Sequence, residues 1–125
     1  MTRPAPLAVR NIDRQTMLGT RVTLATRWLE RARGLLLRPR LGNEEGILIR
    51  PCRSVHMFGM TYPIDVAFLD AGGEVVATYP GLRPGRLTRY HRGASAALEL
   101  PTGVLAASGT QVGDRLSIST HSTRG

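Results

Sequence analysis

Short apolar runs and stretches of alternating apolar and polar residues follow one another along the chain, and this pattern predicts mainly β-strands. Residues 7–12 and 21–25 alternate well enough for two early strands, with Gly19 at the turn between them. Residues 46–49 (GILI) have the composition of a buried strand. Pro51 ends that strand, because proline has no N–H for a ladder hydrogen bond.

The clearest local signal is a hairpin in the second half of the chain. Residues 64–70 (IDVAFLD) form its first strand, residues 71–73 (AGG) its tight turn, and residues 74–79 its returning strand. Residues 96–100 and 115–119 alternate as two further strands.

Two stretches predict helix instead. After Thr26, a suitable N-cap, three residues recur at helical spacing: Trp28, Ala32 and Leu35. Residues 101–108 are long enough for one or two helical turns that Gly109 stops. The predicted fold class is therefore mainly β (α+β), a small compact sheet or partly closed barrel with one or two short helices.

The length of 125 residues fits a single domain, 1–125, with a core over about 8–119 and frayed ends. Hydrophobic residues make up 42% of the chain but aromatic residues only 5%, so we expect an aliphatic core. The single cysteine cannot form an intrachain disulfide, and no apolar run approaches the ~18 residues of a membrane span. Because the N-terminus also lacks a secretory leader, we expect a soluble cytoplasmic protein with no membrane association.

The formal net charge is +8, and all 17 basic residues are arginine. Complete exclusion of lysine is typical of coding bias, so the arginine count is weak support for nucleic-acid binding. The densest basic group lies in the polar loop 81–93 and comprises Arg83, Arg86, Arg89 and Arg92. This loop is either a solvated surface or an anion clamp, since guanidinium groups grip phosphates and carboxylates in pairs of hydrogen bonds.

Five short blocks, in order along the chain, resemble the domain of unknown function 192 family. They are residues 31–35 (RARGL), 46–48 (GIL), 63–70 (PIDVAFLD), 98–103 (LELPTG) and 113–114 (GD). The resemblance covers roughly residues 8–119. It implies a small, mainly β domain with one or two short helices, and it implies no activity, cofactor or catalytic residues.

Two departures from that family limit what the resemblance transfers. Many relatives carry a secretory or lipoprotein leader, which this sequence lacks. Relatives also often show a Trp-Met-Lys-Asn type segment where this chain has residues 56–60 (HMFGM). No role tied to that lysine or asparagine carries over.

Residues 52–60 (CRSVHMFGM) hold the only cysteine and one of three histidines. We expect them to run as an extended strand, on which Cys52, Ser54, His56 and Phe58 share one face and Cys52 and His56 lie about 13 Å apart. A thiolate-imidazole pair or a shared metal needs contact at ~3 Å, so neither is expected. The sequence predicts no metal site and no cofactor.

Two carboxylates interrupt apolar strands. Asp65 lies between apolar residues on both faces of its strand, so it must find a partner or become neutral, and the candidate partners are Arg33, His56 or backbone amides of residues 61–63. Glu99 either faces solvent or converges with Asp65 into a paired carboxylate site.

Two functions remain open. The preferred one is a noncatalytic module that binds a small anionic ligand or a protein, as a monomer or a homodimer. Its ligand-binding residues would come from Arg33, Phe58, Tyr62, Arg83, Arg86, Arg89 and Glu99. The alternative is an acid-base, hydrolase-like enzyme in which His56 and Asp65 act on an anionic substrate.

Overall fold

The structure, a computed structural model, describes residues 5–26 and 40–120. Within these ranges the chain forms seven strands and one short helix. In chain order they are β1 (Leu7–Asn11), β2 (Thr16–Ala25), β3 (Glu45–Ile49), β4 (Ile64–Leu69), β5 (Val75–Leu82), β6 (Ala96–Pro101), α1 (Val104–Ser108) and β7 (Leu116–Thr120). No helix in the described ranges is both long and apolar enough to cross a membrane.

All seven strands belong to one sheet, in the order β5-β4-β6-β3-β2-β1-β7. Neighbouring strands are antiparallel except β2 and β3, which run parallel. Strands β4, β6 and β3 therefore occupy the middle of the sheet. Strand β5 lies on one side of them, and β2, β1 and β7 lie on the other.

The two outermost strands meet at one end of the sheet. The N–H of Leu116, at the start of β7, donates to the carbonyl of Gly73 at 2.8 Å, and the N–H of Val75 donates to the carbonyl of Asp114 at 2.8 Å. These bonds curl the sheet into a half-barrel, because they join strands that stand at opposite ends of the strand order. The predicted fold class, mainly β with a partly closed barrel, is confirmed.

Strand β4 is buried along its whole length, because both faces of the sheet are covered there. On the concave face, Ala67 and Leu69 pack in a cluster with side chains from β1, β2, β7 and α1. On the convex face, Val66 and Phe68 pack in a second cluster, part of which comes from the segments that connect β3 to β4 and β5 to β6. The convex cluster and its cover position the candidate site.

Two local predictions are confirmed and two are corrected. The hairpin is present as β4 and β5, and the helical turns after residue 101 are present as α1, which Gly109 ends with a φ of 69°. Gly19 does not form a turn but lies inside β2, where an added Cβ would stand 3.1 Å from the carbonyl oxygen of Glu44. Residues 52–60 form no strand, only one isolated bridge between His56 and Leu87. The helix predicted after Thr26 lies outside the described residues.

Candidate functional site

Two irregular segments lie side by side over the convex face: the β3–β4 segment (residues 50–63) and the β5–β6 segment (residues 83–95). Backbone hydrogen bonds join them, from the N–H of Met57 to the carbonyl of Arg86 at 2.7 Å and from the N–H of Thr88 to the carbonyl of Val55 at 2.9 Å. Further along, the N–H of His91 donates to the carbonyl of Arg53 at 2.8 Å. The pair forms one continuous layer with an inner and an outer side.

Side chains alternate between the two sides of this layer. Val55 and Met57 are buried against the convex cluster, whereas His56 and Phe58 point outward, and their rings stack with centroids 5.1 Å apart. Leu87 is directly opposite His56 and is 66% exposed. The outer side therefore carries a strip of exposed rings and one exposed leucine. Exposed apolar residues that lie side by side, unlike scattered ones, are typical of interaction sites.

The same layer carries a group of exposed arginines. Arg83, Arg86, Arg89 and Arg92 are all exposed, and within residues 5–26 and 40–120 none of them forms an ion pair. Arg53 is held in place, since its Nε donates to the carbonyl of Ala94 at 3.1 Å. We define the basic aromatic surface as these exposed residues: Arg53, His56, Phe58, Arg83, Arg86, Leu87, Arg89, Tyr90 and Arg92.

Asp65 lies elsewhere, inside the concave side of β4, and its carboxylate is fully engaged by backbone. One oxygen accepts from the N–H of Gly81 at 2.8 Å, and the other accepts from the N–H groups of Gly103 at 3.1 Å and Leu105 at 2.9 Å. The sequence offered Arg33, His56 or the amides of residues 61–63 as partners. The amides come instead from β5 and the start of α1, and Arg33 lies outside the described residues.

The register of the sheet separates the two strand carboxylates. Glu99 of β6 pairs with Val66 of β4, whereas Asp65 pairs with Leu100. Because side chains alternate along a strand, Glu99 and Asp65 point to opposite faces of the sheet. The alternative that Asp65 and Glu99 converge into a paired carboxylate site is therefore wrong.

Glu99 faces the convex cluster and is only 5% exposed, so it does not face solvent either. Its neighbours across the ladder are Val66 and Ile47. Burial in this apolar layer raises the pKa of Glu99 to about 7. Burial also raises the pKa of Tyr62, the charge of Glu99 adds to that rise, and the charge of Arg40 opposes it.

A cavity of about 170 Å³ opens beside Tyr62. Its lining residues are Arg40, Leu41, Tyr62, Pro63, Pro101 and Thr102. The guanidinium of Arg40 lies 5.1 Å from the centre of the Tyr62 ring, a cation–π distance. The hydroxyl of Thr102 donates to the carbonyl of Pro63 at 3.0 Å and so joins two of the lining residues.

Sequence reasoning missed Arg40 and Leu87. Arg40 is 22 positions from the tyrosine that it stacks on, and no local pattern reports such a contact. Leu87 did carry a signal, since it is an isolated large apolar residue in an arginine-rich loop. A third omission is a pair on the convex face, where the Tyr79 hydroxyl and His91 Nε2 lie 2.7 Å apart.

Metal ligation has no support in the part of the chain that the structure describes. No group of three His, Cys, Asp or Glu side chains there comes close enough to share an ion. Cys52 is half-buried against the convex cluster, and its thiol donates to the carbonyl of Ser54 at 3.1 Å.

Comparison with known proteins finds sequence and structural relatives. The model of the family DUF192, described as "Uncharacterized ACR", matches residues 9–118. A UPF0127 protein from Thermococcus sibiricus is 37% identical over 101 residues, which are 77% of this chain and 64% of that protein. The chain thus spans less than two thirds of the length of this relative.

Two crystal structures share the fold. A protein of unknown function from Novosphingobium aromaticivorans matches with a TM-score of 0.76 and 25% identity, over 90% of this chain and 83% of that one. A protein named "putative transcription regulator" from Sinorhizobium meliloti matches with a TM-score of 0.74 and 21% identity, over 94% and 97%. At 21% identity the likeness shows the fold alone.

Proposed function

Because the chain belongs to the uncharacterised DUF192 family, which supplies a fold and no activity, we propose from its surface that it is a noncatalytic module that binds an anionic partner. The partner contacts the basic aromatic surface. The observation that carries the proposal is the group of exposed arginines that form no ion pair within residues 5–26 and 40–120, in the same layer as the strip of His56, Phe58 and Leu87.

The composition of the surface supports an acidic protein segment as the partner. Guanidinium groups bind carboxylates through paired hydrogen bonds, and the net charge of +8 attracts an acidic chain from a distance. A small inorganic anion would use only the arginines. The exposed rings of Phe58 (52% exposed) and Tyr90 (64% exposed) favour a partner that adds apolar side chains to its carboxylates.

The enzyme alternative loses its supporting observation. It needs Asp65 to orient or assist His56, but both oxygens of Asp65 already accept hydrogen bonds from backbone N–H groups. His56 stacks on Phe58 in the outer layer instead. We therefore assign Asp65 a structural role and His56 a place in the binding surface.

The test measures binding of a fluorescent peptide of alternating glutamate and leucine by anisotropy at two salt concentrations. We expect the double variant Arg86→Glu/Arg89→Glu to weaken binding at least about tenfold, because each guanidinium that bonds a carboxylate contributes roughly 1.5–3 kcal/mol. Phe58→Ala should weaken it severalfold through lost apolar contact.

The control is Arg10→Glu/Arg21→Glu, which changes net charge equally but alters exposed arginines outside the basic aromatic surface. Equal weakening by both double variants would reduce the effect to long-range charge and overturn the proposal. Tighter binding of a single-stranded DNA oligonucleotide than of the peptide would also overturn it. That comparison is included because the name of the Sinorhizobium relative refers to transcription.

A further inference from the structure

Strand β7 stands at one end of the strand order and pairs with β1 along one of its edges. Because the two strands are antiparallel, successive residues of β7 turn their backbone groups to alternate sides. The carbonyl of Arg115 accepts from the N–H of Ile12 at 3.0 Å, so it points toward β1, whereas the N–H of Leu116 points away and takes part in closing the half-barrel. The N–H and C=O groups of Ile118 and Thr120 therefore also point away from β1.

This outer edge of β7 is free beyond Leu116. Within residues 5–26 and 40–120, no backbone hydrogen bond from the outer side reaches Ile118 or Thr120. A free edge is a template to which another extended chain can add, and sheets usually protect it with charged residues or proline. Residues 116–120 (LSIST) contain neither. The edge is therefore open to strand addition.

A cavity of about 320 Å³ lies beside this edge. Ile118 of β7, Leu69 of β4 and Ala96 of β6 contribute apolar lining, and all three belong to the concave cluster or pack against it. Residues directly opposite each other on neighbouring strands place their side chains on the same face. A strand added along β7 would therefore direct the side chain opposite Ile118 into this cavity.

The charges in the cavity lining favour an acidic side chain there. Arg50 lines the cavity, is exposed, and forms no ion pair within residues 5–26 and 40–120. Asp70 lines it too, but its Oδ1 accepts from the N–H groups of Gly72 and Glu74 at 2.9 Å each, which compensates part of its charge. A glutamate side chain fits this lining, because its carboxylate binds a guanidinium through paired hydrogen bonds and its methylene groups contact the apolar residues.

We infer that the free edge of β7 and this cavity bind an extended acidic segment of a partner protein. The segment adds antiparallel to β7, as the bridge between Glu74 and Arg115 already does, and exchanges both backbone hydrogen bonds with Ile118. Its glutamate side chain enters the cavity and binds Arg50. The net charge of +8 attracts such a segment from a distance. The site shares no residue with the basic aromatic surface, so it does not depend on the proposed function.

The experiment titrates four matched peptides into the ¹⁵N-labelled protein and follows amide NMR shifts and hydrogen exchange. The parent peptide is Thr-Val-Glu-Val-Thr with acetylated and amidated ends. Two others carry glutamine or lysine in place of glutamate, and the fourth carries N-methylated glutamate, whose backbone cannot donate to the carbonyl of Ile118.

We expect the parent peptide to give saturable shifts at the amides of Ile118 and Thr120 and to slow hydrogen exchange of the Ile118 amide at least about tenfold. The glutamine and lysine peptides should bind at least about tenfold more weakly, because each loses the charge-assisted bonds to Arg50. The N-methylated peptide should bind at least about fivefold more weakly, because it loses a backbone hydrogen bond.

Variants then assign the contacts. Arg50→Gln should weaken binding of the parent peptide about tenfold but leave binding of the glutamine peptide unchanged. Thr120→Pro removes an outward N–H that the ladder with β1 does not use and should weaken binding severalfold, whereas Thr120→Val keeps that N–H and should not. Arg89→Gln, on the basic aromatic surface, should leave binding unchanged.

Four results would overturn the inference. The first is no saturable shift at the amides of Ile118 and Thr120, or shifts confined to the basic aromatic surface. The second is equal binding of the parent and N-methylated peptides, and the third is equal binding of the glutamate and lysine peptides. The fourth is protection of the Ile118 amide that rises with protein concentration in the absence of peptide, which would identify a second copy of this chain as the occupant of the edge.

Discussion

At the scale of single residues, Asp65 acts as a helix cap from a distance. Helix α1 begins after Gly103, which has no side chain to cap it, and a carboxylate oxygen of Asp65 accepts from the N–H groups of Gly103 and Leu105 instead. The other oxygen binds the N–H of Gly81 in β5. One buried carboxylate thereby joins β4, β5 and α1.

The sequence predicted the surroundings of Asp65 but not its partners. Both faces of the strand over residues 64–70 are apolar, which predicts that the Asp65 carboxylate is buried. Asp65 is indeed only 1% exposed. The amides that bind it lie 16, 38 and 40 positions away, so only the sheet pairing brings them together. Sequence reasoning offered Arg33, His56 or the amides of residues 61–63, because periodicity alone does not determine which strands pair.

Replacing Asp65 by asparagine should lower the free energy of unfolding by roughly 2–4 kcal/mol. The amide NH₂ cannot accept hydrogen bonds, so at least one buried N–H donor loses its acceptor, and the charge that strengthened all three bonds is lost. Urea denaturation measures the change. The control is Asp70→Asn, because Asp70 also accepts two backbone N–H bonds, from Gly72 and Glu74, but in an accessible turn. Equal losses in both variants would contradict the role of burial.

At the scale of elements, runs of apolar residues predicted strands where the sheet covers both faces, as in β4 and β6. The same reasoning was wrong for residues 52–60 in the β3–β4 segment. There, buried and exposed side chains alternate although the segment forms only one isolated bridge. Val55 and Met57 point inward because the segment lies flat on the convex cluster, and period-two burial follows from that contact. A glycine was misleading for a similar reason. Gly19 lies inside β2, where the Glu44 carbonyl approaches its backbone closely, a tertiary contact that the sequence does not display.

We call the place where β5 and β7 meet, through the hydrogen bonds of Gly73 with Leu116 and of Val75 with Asp114, the seam. The seam predicts that position 73 requires glycine. A Cβ at Gly73, where φ is +88°, would stand 2.6 Å from the carbonyl oxygen of Leu116. Gly73→Ala should therefore cost the ~1 kcal/mol of an unfavourable φ plus a steric penalty of roughly 1–3 kcal/mol, measured by thermal or urea unfolding.

Gly85→Ala is the matched control for the seam. Gly85 has nearly the same φ, +81°, but no atom lies within 4 Å of its added Cβ. Its variant should show the backbone cost alone. If the two alanine variants were equally stable, the seam would not hold the half-barrel closed.

At the scale of the whole molecule, the strand order and register carry the information that the sequence lacked. Each apolar run is a plausible neighbour for several others, so periodicity does not determine that β6 lies between β4 and β3. The register then decides the chemistry. A shift of one residue between β4 and β6 would reverse which of the opposing residues share a face, and the observed register sends Asp65 and Glu99 to opposite sides.

The different surroundings of Asp114 and Glu99 predict how the free energy of unfolding depends on pH. Arg14 and Asn11 lower the pKa of Asp114 to about 2, so its contribution is present above the unfolded value of about 3.9 and is lost as pH falls through about 2. Glu99 acts in the opposite direction. Since its pKa in the folded state is about 7, the folded protein binds the extra proton between about pH 4.3 and 7, and stability falls as pH rises through that window.

The fall expected from Glu99 alone is about 3 kcal/mol, and it should be complete above about pH 8. Urea denaturation of wild type from pH 4.5 to 8.5 measures it, and the Glu99→Gln variant provides the comparison because it removes the titrating group from the same site. We expect the difference in unfolding free energy between the two proteins to shift by about 3 kcal/mol across this range in favour of the variant. A difference that stays constant with pH would mean that Glu99 remains ionised in the folded state, with its charge compensated within the protein.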